Sequence, residues 1–434
     1  MVDATEKGSS VDFDVIVVGA GPAGLAAAER IAQENGKVIV LEKNSRIGYP
    51  VCTTGVSWIR DMRFLGIPED LYHVLARCRF VSPSNEVVIR YPPQEACVMN
   101  VRGTYQLLAK RATTAGARLE LRTAVLNPIV QNSYVKGVRA RVHGKECKLY
   151  SKIVIDASGV SAVIARKTGL QGRLARFGSG AEYELYAPNC NAEEEVIILD
   201  DNVSPCGYGW IVPCGNGRVR AGVAIIHPDS SGNPRSYLDR LVKGNHRFEA
   251  LFHNAEVVEY HSGMVPSAGV NKRFVGNGLV IVGDAAGQPS PLIGEGIRYA
   301  IYAGHLAANV VTEAIKRSEY SERFLSRYEM LWRKRYDRNH RVAYVINRKI
   351  APLTGEKWDR HLKYLENMSP RQFTKFLKCE FGIWWALGIL FRNPKLSRVV
   401  LCELIKDPFW ANLDKLRREW QNLFAEKQSK SRQR

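Results

Sequence analysis

The nine cysteines are scattered through the chain, with no CxxC pair and none of the spacings of a zinc site or a secreted disulfide framework. No metal site is therefore expected, Cys206 and Cys214 read as two unpaired thiols, and a reducing, cytoplasmic compartment is the default. Single histidines such as His261 and His305 lack metal-ligand spacing and read as satisfied structural groups. Long apolar runs are also missing. The longest, Phe381 to Phe391, has eleven residues, where a membrane-spanning helix needs roughly 20. Met1 to Ser10 is short, polar and charged and leads straight into a strand-like segment, so no secretory signal is predicted. Acidic residues are in short supply, 43 against 62 basic ones, for a net charge of +19. Residues 1–315 carry only +4 of this and the last 119 carry +15. So local an excess suggests an anionic membrane surface, a phosphorylated substrate or nucleic acid. Nucleic acid ranks last, because no module with exposed stacking aromatics accompanies the charge.

What is present is globular. With 434 residues, 45% hydrophobic and 24% charged, the chain has room for two or three domains, and disordered and fibrous classes are excluded. Phe13 to Val18 is a β-branched run that ends in Gly19, Ala20, Gly21, Pro22, Ala23 and Gly24. A helical pattern follows from Leu25 to Ala32, then a second apolar run from Lys37 to Leu41 that stops at Glu42 and Lys43. Strand, glycine turn, helix, strand and acid in this order predict a dinucleotide-binding βαβ unit. Gly19 permits the tight turn, Gly21 lets the backbone approach a pyrophosphate, and Gly24 allows close helix–strand packing at a positive helix N-terminus. Glu42 is placed to accept ribose hydroxyls. These features alone fit NAD or FAD.

A distant segment separates the two. Gly278 to Val282 reads as another strand, followed by Gly283-Asp284-Ala285-Ala286, and the chain continues through Gly294-Glu295-Gly296-Ile297 into a helix from Arg298 to Ala308. This is a second helix N-terminus, with an acid suited to a ribityl hydroxyl and glycine amides suited to an electron-rich ring edge. Two such sites about 260 residues apart suit one long cofactor, FAD, better than NAD.

The pairing resembles the glutathione-reductase-like FAD superfamily, especially its aromatic-hydroxylase branch. Arg102 opens a helix (Thr104 to Ala115) where that branch has a flavin-contacting arginine, Val125 ends the strand after it, and Ile153 to Gly159 is similar to the third strand motif. Within the superfamily the chain resembles the geranylgeranyl reductase family, most of all its archaeal digeranylgeranylglycerophospholipid branch. Ile47-Gly48-Tyr49-Pro50-Val51-Cys52-Thr53-Thr54-Gly55 is similar to the family's loop over the flavin, with one residue fewer before Cys52 and Thr54 in place of an acid. Tyr208-Gly209-Trp210-Ile211-Val212-Pro213 is similar to its Y-x-W-x-F-P motif, and Gly294-Glu295-Gly296-Ile297 is a variant associated with it. The resemblance spans about residues 12 to 305. It implies cofactor contacts from Gly19 to Gly24, Glu42, Lys43, Cys52, Thr53, Gly55, Arg102, Val125, Asp284, Gly294, Gly296 and Ile297.

The implied fold is α/β: a Rossmann-like FAD-binding domain with a parallel sheet (residues 1–75, 102–165 and 275–325), an inserted antiparallel β-rich substrate domain (76–101 and 166–274), and a basic helical C-terminal region (326–434). The implied reaction is FAD-dependent saturation of geranylgeranyl double bonds in lipids or prenyl diphosphates. Cys52 or water beside it would deliver a proton, and Tyr208 and Trp210 would line an apolar tunnel. No second GxGxxG is present, so the external reductant, NAD(P)H, a ferredoxin or another electron-donor protein, is open. The competing enzyme class is an FAD monooxygenase or flavin halogenase, whose W-x-W-x-I-P resembles Trp210 to Pro213 with Tyr208 replacing the first Trp. The competing non-enzyme class is a binding module built on the basic C-terminal region, whose charge runs also suit plain solvated helix faces. Phe381 to Phe391, flanked by Lys375, Lys378 and Arg392, suits an interfacial helix that would hold the protein on the cytoplasmic face of an anionic membrane; a buried helix is the equal alternative.

Overall fold

The computed structural model describes residues 11–405, apart from Gln94, Asn245 and Arg392 and the side chains of residues 403–405. The basic tail at 406–434 and the leader at 1–10 lie outside the described residues. Apolar, mostly β-branched runs form the buried centre of a parallel sheet in the order Leu279–Ile281, Lys145–Asp156, Phe13–Val18, Val38–Leu41, with the half-exposed Arg118–Glu120 at its edge. Such continuous apolar strands need helices on both faces. One layer contains the helices Pro22–Gln33 and Ile297–Arg317, which touch so closely that a Cβ on Gly304 would lie 2.3 Å from the Ala23 carbonyl oxygen. The strand Lys145–Asp156 serves two sheets. Its first half closes an antiparallel meander with Thr123–Gln131 and Tyr134–Val142, and its second half runs parallel to Phe13–Val18.

One strand assignment changes. Val125 does not end a strand; it lies inside Thr123–Gln131, paired with Ala140. The parallel edge strand already stops at Glu120, and Arg122, at φ +52°, turns the chain into the meander.

A second, seven-stranded sheet has the order Glu256–Pro266, Phe177–Tyr186, Arg218–His227, Gly207–Gly215, Glu194–Ile198, Arg77–Val81, Glu86–Arg90. All its pairs are antiparallel except Glu194–Ile198 with Arg77–Val81. Alternation sorts its residues: Ile198, Ile211 and Val223 face a core closed by the helix Pro234–Lys243, whereas Ile197, Trp210 and Val212 face the other side. That other side is covered by the C-terminal helices Arg338–Ile350, Gly355–Glu366, Pro370–Leu377, Ile383–Gly388 and Pro394–Ile405, which share a core with the sheet through Phe80, Val342, Phe373 and Trp385. The C-terminal region is therefore, as far as residue 405, an integral wall of the molecule.

Its attachment is partly ionic. Lys378, 2% exposed, sits 3.5 Å from Asp61 and 3.4 Å from Glu95, while Arg298 pairs with Glu295 at 2.8 Å. Lys378, counted from sequence among the flanking charges of an interfacial helix, is thus turned inward and closed off from any lipid headgroup. The segment Phe381–Phe391 is not one continuous helix either. Only Ile383–Gly388 is helical, with Phe381, Trp385 and Ile389 in the core and Ile383, Trp384, Leu387 and Phe391 exposed.

Candidate active site

The glycine turn has the shape its spacing predicts. Gly19 adopts φ +100°, and a side chain there would run into the Ala157 carbonyl; a Cβ on Gly24 would lie 2.1 Å from the Gly19 carbonyl oxygen. Gly21 differs from both. It precedes the helix Pro22–Gln33 in extended conformation, and nothing lies within 4 Å of the place its Cβ would occupy. Open space over helix amides is what a pyrophosphate needs. Glu42 lies at the end of the second strand, its carboxylate accepting hydrogen bonds from the Ala20 amide at 2.9 Å and the Asn44 amide at 2.8 Å. Lys43 beside it is exposed.

Asp284 follows the strand Leu279–Ile281 within the one-turn helix Gly283–Ala286, and its Oδ1 lies 3.5 Å from the Cβ position of Gly296. Burial pushes its carboxyl up to about 6, and among the described residues no cation pairs with it. An enclosed acid without a counter-charge, facing a glycine loop at the start of the helix Ile297–Arg317, fits a neutral hydroxyl-bearing ligand. The open cradle at Gly21 and this acid together suit FAD. Bound there, FAD would lie between Gly19–Gly24, Glu42 and Asp284, and would supply the redox chemistry.

Cys52, Thr53, Gly55 and Gly294 to Ile297 line one cavity of about 500 Å³, within the usual range of small-molecule sites. Its walls are largely apolar. Tyr208 and Trp210 come from the seven-stranded sheet, and Leu353, Leu365, Leu396 and Val399 come from the C-terminal helices. The two aromatic residues named from the sequence hold fixed positions: the Tyr208 hydroxyl donates to the Ile293 carbonyl at 2.7 Å, and Trp210 Nε1 donates to Glu182 at 2.8 Å. The Trp210 ring lies over Gly222, where a Cβ would come within 2.3 Å of it.

Cys52 belongs to the loop that ends at Gly55. Its side chain is exposed, yet partial desolvation by the loop pushes the thiol up, with Lys43 opposing the shift, so it stays protonated at neutral pH. Arg102 lies within the helix Val101–Thr114, capped by the Asn100 side chain, where an N-terminus at Thr104 had been expected. It donates to both oxygens of Glu259, at 2.8 and 2.9 Å, and stacks on Tyr49. Its guanidinium thus braces the loop over the cavity. Val125 is remote from the cavity lining and packs at the edge of the parallel-sheet core.

Three groups of the cavity were not singled out by motif. Glu182, His261 and Thr54 all line it and contact one another: the Thr54 hydroxyl and His261 Nδ1, at 2.9 Å, both bind the Glu182 carboxylate. His261, expected to be a satisfied structural histidine, is 1% exposed and leaves Nε2 without a hydrogen bond. The signal was faint but present in Gly178, Gly180 and Glu182, a period of two that puts one acid on the face two glycines leave open. All nine cysteines are free, Cys206 and Cys214 included, and no cluster among the described residues could hold a metal.

The comparisons with known proteins agree with this geometry. A family model described as FAD dependent oxidoreductase matches residues 14–204, and one described as geranylgeranyl reductase catalytic domain matches residues 177–265. Digeranylgeranylglycerophospholipid reductase 2 of Methanothermobacter thermautotrophicus is 32% identical over 395 residues, covering 89% of this chain and 98% of that protein. Among solved structures, a geranylgeranyl bacteriochlorophyll reductase-like protein of Thermoplasma acidophilum superposes with a TM-score of 0.81 at 24% identity, over 90% of this chain and 99% of the other. A flavin-dependent brominase shares the fold more distantly, at a TM-score of 0.63 and 19% identity over 84% of this chain and 98% of the other.

Proposed function

Because the chain belongs to the geranylgeranyl reductase family of FAD-dependent oxidoreductases, we propose that it saturates C=C double bonds in geranylgeranyl chains of a phospholipid. The observation that carries this reading is the cavity itself: apolar, about 500 Å³, floored by the loops that suit the flavin and walled by C-terminal helices. An isolated alkene offers no polar handle, so the protein's work is to hold a greasy chain against the cofactor, exclude water and deliver one proton per double bond. Tyr208 and Trp210, pinned by their hydrogen bonds to Ile293 and Glu182, give the chain a rigid aromatic wall. Cys52, its thiol held protonated, stands at the flavin end as the proposed proton donor. The test is incubation of dithionite-reduced holoprotein with digeranylgeranylglycerophospholipid: mass spectrometry should show stepwise 2-Da gains, and an unchanged lipid would overturn the assignment. Cys52→Ala should lower the single-turnover rate at least tenfold; an unchanged rate removes Cys52 from the chemistry. NADPH and a reduced ferredoxin, compared in the same stopped-flow assay, distinguish the two classes of electron donor.

No helix among the described residues is long and apolar enough to cross a membrane, yet the substrate is a membrane lipid. Ile383, Trp384, Leu387 and Phe391 form an exposed apolar face, with Trp384 84% and Phe391 96% exposed. Lys375, Lys395 and Arg398 are exposed on neighbouring helices. This combination suits shallow insertion into an anionic leaflet. Trp384→Asp with Phe391→Asp should reduce sedimentation with phosphatidylglycerol vesicles at least tenfold while leaving the melting temperature within a few degrees. Undiminished co-sedimentation of the double variant would rule this face out.

A further inference from the structure

Resting on the reading of the cavity as an alkene-reducing site, we propose that Glu259, His261, Glu182 and Thr54 form a proton relay that leads from solvent to the flavin end of the cavity. Glu182 and His261 face each other across paired strands and are 3% and 1% exposed. The Glu182 carboxylate accepts from Trp210 Nε1, from His261 Nδ1 and from the Thr54 hydroxyl, so it is committed on the cavity side and on the histidine side at once. His261 Nε2, otherwise without a hydrogen bond, lies 3.5 Å from the Glu259 carboxylate. Glu259 in turn is partly exposed and holds Arg102. Beside the pair, Gly180 faces Gly263, and a Cβ on Gly263 would lie 2.4 Å from the Cys52 carbonyl oxygen, so the Cys52–Thr54 loop rests on this part of the sheet.

The charges around the imidazole are Glu182 on the facing strand, Glu259 on its own strand, and Arg102, which Glu259 neutralises; on the next strand Arg220 is neutralised by Glu184. Two carboxylates thus flank His261, Glu182 at Nδ1 and Glu259 at Nε2, while Arg102 is held by Glu259, and Arg218 and Arg220 share Glu184. Starting from a ring protonated on Nδ1 only, one solvent proton enters through Glu259 to Nε2, the Nδ1 proton passes to Glu182, and Glu182 returns a proton to Thr54 Oγ1 as the Thr54 hydroxyl proton passes to the donor at the cavity. Exchange of the proton left on Nε2 for one on Nδ1 restores the starting state before the next turnover. The alkene π bond is replaced by two C–H bonds, one made with this proton and one with the hydride of the reduced flavin, which is oxidised by two electrons. Glu182 and His261 are positioning and relay residues; the group that touches the alkene is the one at the Cys52–Thr54 loop.

His261→Gln and Glu182→Gln keep hydrogen-bonding groups but cannot relay, and each should lower the single-turnover rate of lipid reduction by 100-fold or more. The wild-type single-turnover rate should show a solvent deuterium isotope effect that changes in His261→Gln; an unchanged isotope effect overturns the relay. Dithionite reduction of the bound flavin should be unchanged. Because the buried variants carry a folding risk, Glu259→Gln at the exposed end provides an independent reading and should slow reduction about tenfold; full activity there overturns the proposed route. Nitrogen-15 imidazole NMR of flavin-free wild type judges the relay even if no prenyl lipid is a substrate. The neutral ring should carry its proton on Nδ1, hydrogen-bonded to Glu182, with Nε2 free to accept from the Glu259 side; a proton that stays on Nε2 would overturn the proposal.

Discussion

Gly21→Val should purify folded and colourless. Gly21 occupies an extended conformation open to any residue, and no atom lies within 4 Å of its Cβ position, so the branch point of a valine meets nothing in the protein. Its methyl groups would fill the space over the helix N-terminus where a pyrophosphate must approach backbone amides to be held at all. The expected result is a melting temperature within about 3 °C of flavin-free wild type and an FAD dissociation constant raised at least 100-fold, read by flavin fluorescence. A yellow variant would mean that no phosphate sits at this turn. Gly24→Ala supplies the contrast, since its Cβ would lie 2.1 Å from the Gly19 carbonyl. There the damage is to the helix–strand contact itself, at about 1–3 kcal/mol of stability for overpacking a tight site.

Asp284→Asn should move stability and cofactor affinity in opposite directions. Burial raises the Asp284 carboxyl from 3.8 to about 6 in the folded protein, so the folded state pays to ionise it. That penalty is absent below about pH 4, where both states carry the proton. It grows as pH rises through the folded value and is complete above about pH 7. By linkage the penalty is on the order of 1–3 kcal/mol at pH 8. Asparagine removes it, so the flavin-free variant should be more stable than flavin-free wild type at pH 8, by urea denaturation, and the gain should shrink as pH falls from 6 toward 4. The same substitution removes the acceptor proposed for the ribityl chain, and FAD affinity should fall at least tenfold. A variant equal to wild type in both measurements would show that Asp284 is neither strained nor used.

Such opposition is typical of a functional site that holds an unpaired charge in reserve. It contrasts with Asp61, Lys378, Glu295 and Arg298, where buried charges are matched and join the C-terminal helices to the rest of the molecule.

The two adjacent tryptophans Trp384 and Trp385 illustrate where pattern reading loses resolution. As a composition they make one apolar, aromatic segment; on a helix they point about 100° apart, and one enters the core while the other meets solvent. The segment is divided lengthwise, one side packed in the core as in a buried helix and the other exposed as an interfacial helix needs. Lys378 shows the same limit for charge, its partners Asp61 and Glu95 lying some 300 residues earlier in the chain. Val125 was misplaced because the left-handed turn at Arg122 gives no strong sequence signal.

From sequence alone came the FAD-type architecture, the glycine turn with Glu42, the strand that leads into Gly283 and Asp284, and the family resemblance. These are legible because each motif is local: a turn, a strand end or a helix start imposes its residue types within a few positions, whatever the rest of the chain does. The cavity required the tertiary structure, because its walls come from a sheet, two loops and a set of C-terminal helices whose facing sides no local rule specifies. Glu182 and His261, 79 residues apart, meet only because strand register places them opposite one another, and a slip of one strand by one residue would have turned its side chain to the other face.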